Sequence, residues 1–435
     1  MSAAQESAAR EAGQLVAAVR HGDAGAVRAV LDAGADPETV DEEEGVPVLC
    51  LAVAAYDEPV AEALLEARAD PLRRLPDGTT PLLRAVDGGS VAMTWTLLQR
   101  GPIPFRAPAR EELIARARHW VKTGVEAELR RRTGLRGPAR RTRAWDGPSY
   151  NAYEQVALGG LTARDGHAAI LTALEERYGE RTPFAELAAR ALNHPDRDHA
   201  VWSQVVFTLG CRVDEETWTA AVDLSAHPDR LHRLLAADLL LGLVLGDIRK
   251  GHAPFWDRAR ELAPWAGREQ DPEVLAVVLH ALTHDNGPDI EAVGLPHLTH
   301  PDARVRGLVP ETLELSEDGD VVRPDSLAAV LTLVRDPDPD VRERLARWLG
   351  HLRVPEPAVA DSVPEPAVAD SLMALARDER QRVRVRAVSG LAHRDDPRCL
   401  EARLFVGPVH ADDLREELWA VWRYRLRQQE PGDEG

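Results

Sequence analysis

Apolar residues recur near the start of the chain at a fixed spacing of 33 to 34 positions. Leu31, Leu65 and Leu98 occupy one column of this pattern. A second column of small residues follows the same steps, at Ala18, Ala52 and Ala85. Such a period predicts short paired helices that stack on their neighbours, because one pair alone buries too little apolar surface to be stable.

A looser pattern follows from about residue 180, in which an apolar residue is matched by Leu eight positions later. The six stretches are Val201 to Leu209, Leu231 to Leu239, Val274 to Leu282, Val305 to Leu313, Val341 to Leu349 and Val383 to Leu391. Most of them follow a His-Pro-Asp or Asp-Pro turn. Proline fits the first helical turn and a carboxylate meets its free N–H groups, so these turns predict helix starts.

The segment DGTTPLLRA, residues 77 to 85, resembles the turn and first helix of an ankyrin repeat. GADP at 34 to 37 and RADP at 68 to 71 resemble the end of its second helix. The resemblance covers about residues 11 to 104. The glycine that ends the first helix of a repeat is present as Gly22 and Gly89, but Tyr56 replaces it in the second repeat. It implies a surface that binds a partner protein through hairpin tips and the concave first-helix face.

The acidic run Asp41 to Glu44 lies where such a hairpin tip is expected. A solvated turn is the alternative, since runs of like charge usually repel one another and stay hydrated. Our candidate partner-binding residues are Asp41, Glu42, Glu43, Glu44, Arg73 and Arg74.

The Asp-Pro-x-Val-Arg helix starts between about 180 and 425 resemble HEAT repeats, including the short units of phycobilin lyases. The predicted fold is therefore all-α, a two-part α-solenoid. Its parts are ankyrin repeats at 11–104, a basic helical junction and loop at 105–150, HEAT-like repeats at 151–427 and a disordered tail at 428–435. We expect Arg306, Arg342 and Arg384, which follow valines at equivalent positions, to pair with neighbouring acidic turns.

Two further predictions concern this HEAT-like part. A capping helix from Asp412 to Arg427 places Trp419 and Trp422 on its apolar stripe, so we expect both indoles in the core. The segment VPEPAVADS occurs twice in succession, at 354–362 and 363–371. We interpret it as a tandem duplication in a surface loop, where added length costs little.

Charge divides the chain in the same places. Residues 1–105 carry a net charge of -9, residues 106–150 carry +7, and the rest carries -17. Seven arginines crowd the junction, at Arg130, Arg131, Arg132, Arg136, Arg140, Arg141 and Arg143. They could contact nucleic acid, an acidic partner or the acidic flanks of the chain itself. Because those flanks carry -9 and -17, we favour the intramolecular interpretation.

Other features narrow the class of protein. Only two basic residues are lysine, Lys122 and Lys250, an arginine excess that suggests high-GC, bacterial coding. Three scattered cysteines form no disulfide framework or metal motif, which favours a reducing, cytoplasmic compartment. The opening residues lack a basic region followed by an apolar core, and no apolar run is long enough to span a bilayer, so we expect neither secretion nor membrane insertion. It also contains no nucleotide-binding, hydrolase or metalloprotease motif, so we predict no catalytic residue, cofactor or metal.

The sequence therefore favours a non-enzymatic interaction scaffold or adaptor, with an inhibitor of a basic partner protein as one concrete form. The first alternative is a nucleic-acid-binding protein similar to the HEAT-repeat DNA glycosylases. The acidic total argues against it, except through residues 130–143. The second alternative is a HEAT-like tetrapyrrole lyase, which rests on the resemblance alone.

Overall fold

The computed structural model describes residues 3–100, 107–146, 151–246, 256–284, 288–313, 323–352 and 365–429. The chain is mostly helical with small sheets, which confirms the predicted class at that level. Residue contacts group it into two compact units, Met1–Leu209 and Gly210–Gly435. No helix among these described ranges is long and apolar enough to cross a membrane.

The first unit contains two layers of helices. Its helices are α1 (Ala3–His21), α2 (Ala24–Asp32), α3 (Val48–Ala55), α4 (Glu58–Glu66), α5 (Pro81–Gly88), α6 (Val91–Arg100), α7 (Ala107–Thr123), α8 (Val125–Thr133), α9 (His167–Arg177), α10 (Phe184–Leu192) and α11 (Ala200–Gly210). In one layer α1, α3, α5, α7 and α9 pack in succession, and in the other α2, α4 and α6 do so. The leucine and alanine columns of the sequence lie between these helices, with Leu65, Leu98, Ala52 and Ala85 buried.

Local sequence explains where these helices begin and end. Thr80 caps α5 by accepting the Leu83 N–H at 3.1 Å, and Pro81 follows in the first turn. Gly89 ends α5 in the left-handed conformation, with φ of 70°. Tyr56 ends α3 in the same conformation, with φ of 56°, which is unfavourable for a residue that has a Cβ. Its side chain must therefore be held by other contacts.

A three-stranded antiparallel sheet interrupts the helices of the first unit. Its strands are β3 (Arg140–Trp145), β4 (Ala152–Leu158) and β5 (Leu161–Arg164), in the order β3-β4-β5, after the short hairpin β1 (Val40–Asp41) and β2 (Val46–Pro47). The predicted arginine-rich loop is therefore wrong: Arg130 to Arg132 end α8, and Arg140 to Arg143 lie in β3. Val156 and Leu158 of β4 and Ala163 of β5 bury one face of the sheet against Trp120 and Leu129, a tertiary contact that the arginine run did not indicate.

The second unit is a succession of helices of uneven length. They are α12 (Glu215–Leu224), α13 (Arg230–Leu245), α14 (Ala263–Ala266), α15 (Pro272–Leu282), α16 (Pro288–Gly294), α17 (Ala303–Arg306), α18 (Pro324–Val330), α19 (Pro339–His351), α20 (Glu365–Leu375), α21 (Gln381–His393), α22 (Cys399–Val406), α23 (Asp412–Glu417) and α24 (Trp419–Gln429). Short 3-10 helices lie at Trp256–Leu262, Leu295–Thr299, Val309–Thr312 and Leu331–Arg335. The helices α13, α15, α17, α19, α21 and α24 pack one on the next.

Arginines at equivalent positions join these helices to the following turn. Arg306 binds Asp336 at 2.7 and 2.8 Å, and Arg342 binds Asp378 at 2.6 and 3.1 Å, which confirms the predicted pairing. Arg384 instead donates to the backbone carbonyls of Asp378 and Glu379, which lie just before its own helix. Arg306 and Arg342 make the same carbonyl contacts at their own turns.

Two predictions for the C-terminal part are wrong. The second copy of the duplicated segment is largely helical, since residues 365–371 begin α20 and Val368 is buried; the first copy lies outside the described residues. The predicted capping helix is divided into α23 and α24, and its indoles are not in the core. Trp419 is 55% exposed and Trp422 is 51% exposed. Of the predicted tail, Gln428 and Gln429 end α24, and the remainder lies outside the described residues.

Candidate functional site

A cleft of about 430 Å³ lies in the first unit, between the helices α3 and α5 and the turn that joins β4 to β5. Exposed Leu161 and Thr162 line it on the side of the sheet, and Ala54 lines it on the side of α3. Its polar and aromatic lining comes from Tyr56, Asp77, Arg84, Asp87, Trp120 and Arg132. The cleft therefore lies on the helices in which the sequence predicted a partner-binding face.

The strand β5 presents a backbone edge to this cleft. Gly159 and Gly160 have φ of 59° and 82°, which allows the tight turn that brings β5 back along β4. The Asp165 N–H donates to the Glu154 carbonyl at 3.1 Å. Because antiparallel pairing alternates, the N–H and carbonyl groups of Arg164 and Thr162 then point away from β4. Thr162 lies in the cleft lining, whereas the Arg164 carbonyl lies against Gly89, so Thr162 is the residue of this edge that borders the cleft.

The charged groups of the cleft neutralise one another. Asp87 accepts from the Trp120 indole N–H at 2.6 Å and from Arg132 at 3.1 Å. The Arg132 guanidinium also lies 4.6 Å from the centre of the Trp120 ring. Asp77 and Arg84 form a second pair at 3.0 Å. A site with balanced charges suits hydrogen bonding to a peptide better than binding to a polyanion.

The nucleophiles that border the cleft are not activated. Burial raises the pKa of the Cys50 thiol to about 11, so it is protonated at neutral pH. Burial also raises the pKa of Tyr56 to about 12. The Tyr56 hydroxyl donates to the Gly88 carbonyl at 2.8 Å, and the Arg164 guanidinium lies 3.9 Å from its ring centre. These contacts hold Tyr56 in its unfavourable backbone conformation and assign it a structural role.

Beside the cleft, a buried network joins the sheet to α6. The Asp146 carboxylate pairs with Arg164 and accepts from the hydroxyls of Tyr153 and Ser90. It also accepts the Ala92 N–H at the start of α6, at 3.3 Å. Burial and the Asp146 charge raise the pKa of Tyr153, which keeps its hydroxyl a donor.

Two glycines allow the backbone of this region to approach closely. A Cβ at Gly89 would overlap the Arg164 carbonyl oxygen, and a Cβ at Gly166 would overlap the Gly89 carbonyl oxygen. The repeat spacing identified Gly89 only as a helix end. In the structure it is also the point where α5 contacts the segment that follows β5.

The predicted acidic hairpin exists, but its first residue is not a free contact. The strands β1 and β2 pair across residues 42–45 as expected. Asp41 is buried, accepts the Glu44 N–H at 2.9 Å and pairs with Arg20 at 2.8 Å. Glu43 pairs with the same arginine at 2.7 Å, whereas Glu42 is exposed. Asp41 therefore shapes the hairpin, and Glu42 to Glu44 supply its exposed charge.

The two predicted arginines of the same region are also engaged within the chain. Arg73 bonds to the Glu38 carboxylate at 2.6 Å and to the Glu38 carbonyl at 2.9 Å. Arg74 pairs with Glu112. Both arginines therefore connect neighbouring elements, and a partner would have to displace these contacts.

Five of the seven junction arginines have acidic partners in the same chain. Their pairs are Arg130 with Glu126, Arg131 with Glu128, Arg132 with Asp87 and Glu128, Arg141 with Glu126 and Glu154, and Arg143 with Asp196. The hydrogen bond from Arg131 lowers the pKa of Glu128 against the opposing effect of burial. Arg136 and Arg140 pair with no carboxylate of the described residues. The run is thus largely neutralised, as the intramolecular interpretation expects.

Three side chains of ligand type, Asp165, His194 and His199, converge within 4.8 Å. His199 Nδ1 accepts the Val201 N–H at 3.1 Å, so in neutral imidazole the proton is on Nε2, which donates to Asp165 at 2.9 Å. That nitrogen has no lone pair for a metal. The rings of His194 and His199 are also stacked, with centres 4.2 Å apart, so their in-plane lone pairs do not converge. The cluster caps α11 and does not form a metal site in this geometry.

Histidines in the other two His-Pro-Asp turns also accept backbone N–H groups. His227 Nδ1 accepts the Asp229 N–H at 3.0 Å, and His300 Nδ1 accepts the Asp302 N–H at 3.1 Å. Each aspartate then caps the following helix, α13 or α17. These two histidines therefore stabilise the turns that precede the helices.

Comparison with known proteins adds little. No known protein family matches the chain, and no curated protein matches it. One solved structure, described as an engineered protein of the Northeast Structural Genomics Consortium, is 14% identical over 94% of this chain and 93% of that chain, with a TM-score of 0.38. A likeness of this level supports no conclusion about fold or function.

Sequence reasoning missed most of the residues that complete the cleft, and it named Arg132 only as part of the basic junction. Asp87, Trp120 and Arg132 are spread over three helices, and Thr162 belongs to a strand that we did not predict. The available signal was the two-residue spacing of Val156 and Leu158 directly before the Gly159-Gly160 turn, which is a typical hairpin pattern.

Proposed function

We propose that the chain is a non-enzymatic interaction protein, built from ankyrin-like repeats followed by HEAT-like repeats. We further propose that the cleft of the first unit receives an extended segment of a partner protein. The observation that carries this proposal is the outward edge of β5 at Thr162, which faces the cleft across from α3 and α5. An added strand would pair with this edge and place side chains against Tyr56 and Trp120.

The repeat assignment is supported by equivalent contacts at equivalent positions. In the first unit, Leu65 and Leu98 are buried between successive second helices, as Ala52 and Ala85 are between successive first helices. In the second unit, Arg233, Arg306, Arg342 and Arg384 make the same backbone contacts at equivalent positions. Such recurrence is typical of stacked repeats, whose extended surfaces bind protein partners.

Binding has more support than catalysis or nucleic-acid recognition. The cleft carboxylate Asp87 is fully engaged by Trp120 and Arg132, and the Cys50 thiol is protonated. Nucleic-acid binding would need unpaired basic groups, yet most junction arginines are bound to carboxylates. The tetrapyrrole lyase alternative gains no residue-level support.

A cleft-blocking variant tests this proposal. Ala54 is exposed on α3 and lines the cleft, so Ala54→Arg fills it with a long charged side chain. Ala29 is exposed on α2 and makes Ala29→Arg a matched control on the other helix layer. Captured proteins from a native lysate would be compared by quantitative mass spectrometry for the wild-type chain and both variants.

The expected result is a stoichiometric partner that the wild-type chain and Ala29→Arg retain and Ala54→Arg loses. Equal retention by all three chains would place binding outside the cleft. Salt-sensitive binding of labelled duplex DNA with no retained protein would favour the nucleic-acid alternative instead.

A further inference from the structure

The last described helix, α24, is apolar on two sides. Ala420, Val421 and Tyr424 are buried against the rest of the second unit. Trp419, Trp422 and Leu426 are 55%, 51% and 40% exposed. The exposed three follow the spacing i, i+3, i+7, so they form one stripe along the helix. A helix with a second apolar stripe is expected to have a second packing partner.

This stripe borders a formed depression, which we call the α24 surface. It is about 540 Å³ in volume and is lined by Val409, Leu418, Trp419, Val421 and Trp422, with the arginines Arg403, Arg415 and Arg425 around it. The two indoles lie edge to face, with ring centres 5.2 Å apart and planes at 77°. They support each other, so the depression does not depend on a partner for its shape.

The charge of the α24 surface is opposite to that of the chain. The helix α24 contains Arg423, Arg425 and Arg427 and no carboxylate among its residues Trp419–Gln429. Arg427 pairs with Asp395 at 2.5 Å, and Arg415 pairs with Asp412. Arg403 and Arg425 pair with no carboxylate in the part of the chain that the structure describes.

The lack of a carboxylate partner at Arg403 and Arg425 differs from the repeat arginines of the second unit, which are bound to carboxylates or to carbonyl groups. Guanidinium groups beside an exposed apolar stripe favour a ligand that combines apolar anchors with negative charge. We propose that the α24 surface binds an acidic amphipathic helix of a partner protein.

The geometry fits a helix of a few turns. The stripe from Trp419 to Leu426 extends over about 10 Å, which is two helical turns. A partner helix with apolar residues at i, i+3 or i+4, and i+7 would place them in the depression and along the indoles. Glutamate or aspartate beside those anchors would face Arg403 and Arg425, since charges flank the apolar seam of packed helices.

Two other occupants fit less well. A second copy of this chain that packed α24 against α24 would bring like arginine charges together. Single-stranded nucleic acid stacks on successive aromatic faces along a basic track, whereas Trp419 and Trp422 are nearly perpendicular. Its phosphates would also continue past the depression along a segment with a net charge of -17.

Three labelled probes test this proposal against the full chain at moderate salt. The first is a helical peptide of about 18 residues with leucine at i, i+3, i+4 and i+7 and glutamate beside them. The second has lysine in place of every glutamate, and the third is a thymidine oligonucleotide of similar length. Fluorescence anisotropy measures binding, and analytical ultracentrifugation measures self-association.

We expect the glutamate peptide to bind at least about tenfold more tightly than the lysine peptide. Trp422→Gln and Arg425→Glu should each weaken its binding by about tenfold or more. Trp95→Gln is the matched control, because Trp95 is a partly exposed indole of the first unit, and it should leave binding unchanged. Circular dichroism verifies that each variant remains folded.

Several results would overturn the proposal. These are failure of the glutamate peptide to bind, equal affinity for the lysine peptide, preference for the oligonucleotide, or no effect of Trp422→Gln. A dimer of the wild-type chain that Trp422→Gln abolishes would identify a second copy as the occupant. None of these outcomes bears on the cleft, since α24 and the cleft belong to different units.

Discussion

The two compact units connect successive helix pairs by different chemistry. The first unit relies on buried apolar columns and on side chains that reach neighbouring backbone groups, as Tyr56 does at the Gly88 carbonyl and Glu38 at the Asp70 N–H, 2.6 Å away. The second unit uses arginine on one helix and a carboxylate in the next turn. The difference is one of degree, because a Cβ at Gly350 would overlap the Gly390 backbone in the second unit, and Arg190 forms a buried pair with Glu175 in the first.

The charge pairs of the second unit follow a positional rule. Arg233, Arg306 and Arg342 lie four residues after their helix caps, and each is followed by an acidic turn residue, namely Glu269, Asp336 or Asp378. Leu275 occupies that position in α15, and the next such turn begins with His300, whose Nδ1 accepts the Asp302 N–H. Each of these turn residues accepts a backbone N–H. An acidic one follows Arg233, Arg306 and Arg342, whereas Arg384 donates to the Val406 carbonyl. Arginine content is therefore a poor guide to phosphate binding here.

The largest expected effect tests the close approach in the first unit. Gly89→Ala should lower the free energy of unfolding by about 4 kcal/mol or more, because a Cβ would overlap the Arg164 carbonyl and φ is positive. Gly134 is the control: it has the same φ of 70°, but a Cβ there meets no described atom within 4 Å. Gly134→Ala should cost only about 1 kcal/mol in urea unfolding. Equal costs would show that backbone conformation, not contact, constrains Gly89.

The next effect tests the charge pairs of the second unit. The side chains of Arg342 and Asp378 are 10% and 8% exposed. Arg342→Ala should lower the free energy of unfolding by about 3 kcal/mol, because Asp378 remains buried without its partner. Arg304→Ala removes a guanidinium that is 56% exposed and pairs with Asp302. This control should cost less than about 1 kcal/mol, measured by urea unfolding. Similar costs for both variants would contradict a structural role for the arginine–carboxylate pairs of the second unit.

The units should also differ in the sign of their pH dependence. Burial, reinforced by the Asp146 charge, raises the pKa of Glu58 in the first unit to about 7. A raised carboxyl pKa stabilises the fold at low pH, and this contribution is lost as pH rises from the unfolded value near 4.5 through about 7. Asp378 of the second unit behaves oppositely: burial opposes ionisation, but the Arg342 hydrogen bond lowers its pKa, so its contribution is lost as pH falls through that lowered value.

The variant Glu58→Gln measures the contribution of Glu58 to the pH dependence of stability. Between pH 5 and pH 8 the wild-type chain should lose on the order of 1 kcal/mol of unfolding free energy as Glu58 ionises, after allowance for the solvent exposure of this side chain. The Glu58→Gln variant should not show this loss. Urea midpoints at several pH values provide the comparison with the wild-type chain. An unchanged pH profile would show that Glu58 is ionised over the whole range.

The smallest effect concerns the contact that holds Tyr56. Tyr56→Phe keeps the ring beneath Arg164 and removes the hydrogen bond to the Gly88 carbonyl, so it should cost about 1 kcal/mol. Thermal unfolding should show a correspondingly small decrease in Tm. A variant as stable as the wild-type chain would assign the positioning of Tyr56 to the Arg164 contact alone.

Some features were predictable because their causes are local. The helix caps at Thr80, Asp229 and Asp302, the buried leucine columns and the hairpin at residues 42–45 each depend on residues a few positions apart. The pairing of Arg306 and Arg342 was predictable because the repeat places each arginine beside the next acidic turn. The cleft was not, since Asp87, Trp120 and Thr162 meet only when the sheet packs against α5 and α7.

The sequence by itself determined the repeat spacing, the mostly helical class, the starts of many helices and the arginine positions of the second unit. Tertiary structure decided which charges are neutralised and which apolar residues are covered. Arg132 became a neighbour of Asp87, and Trp419 and Trp422 became exposed although their spacing matches a core stripe. The physical reason is that periodicity identifies a helix face, while burial depends on whether another element is present to pack against that face.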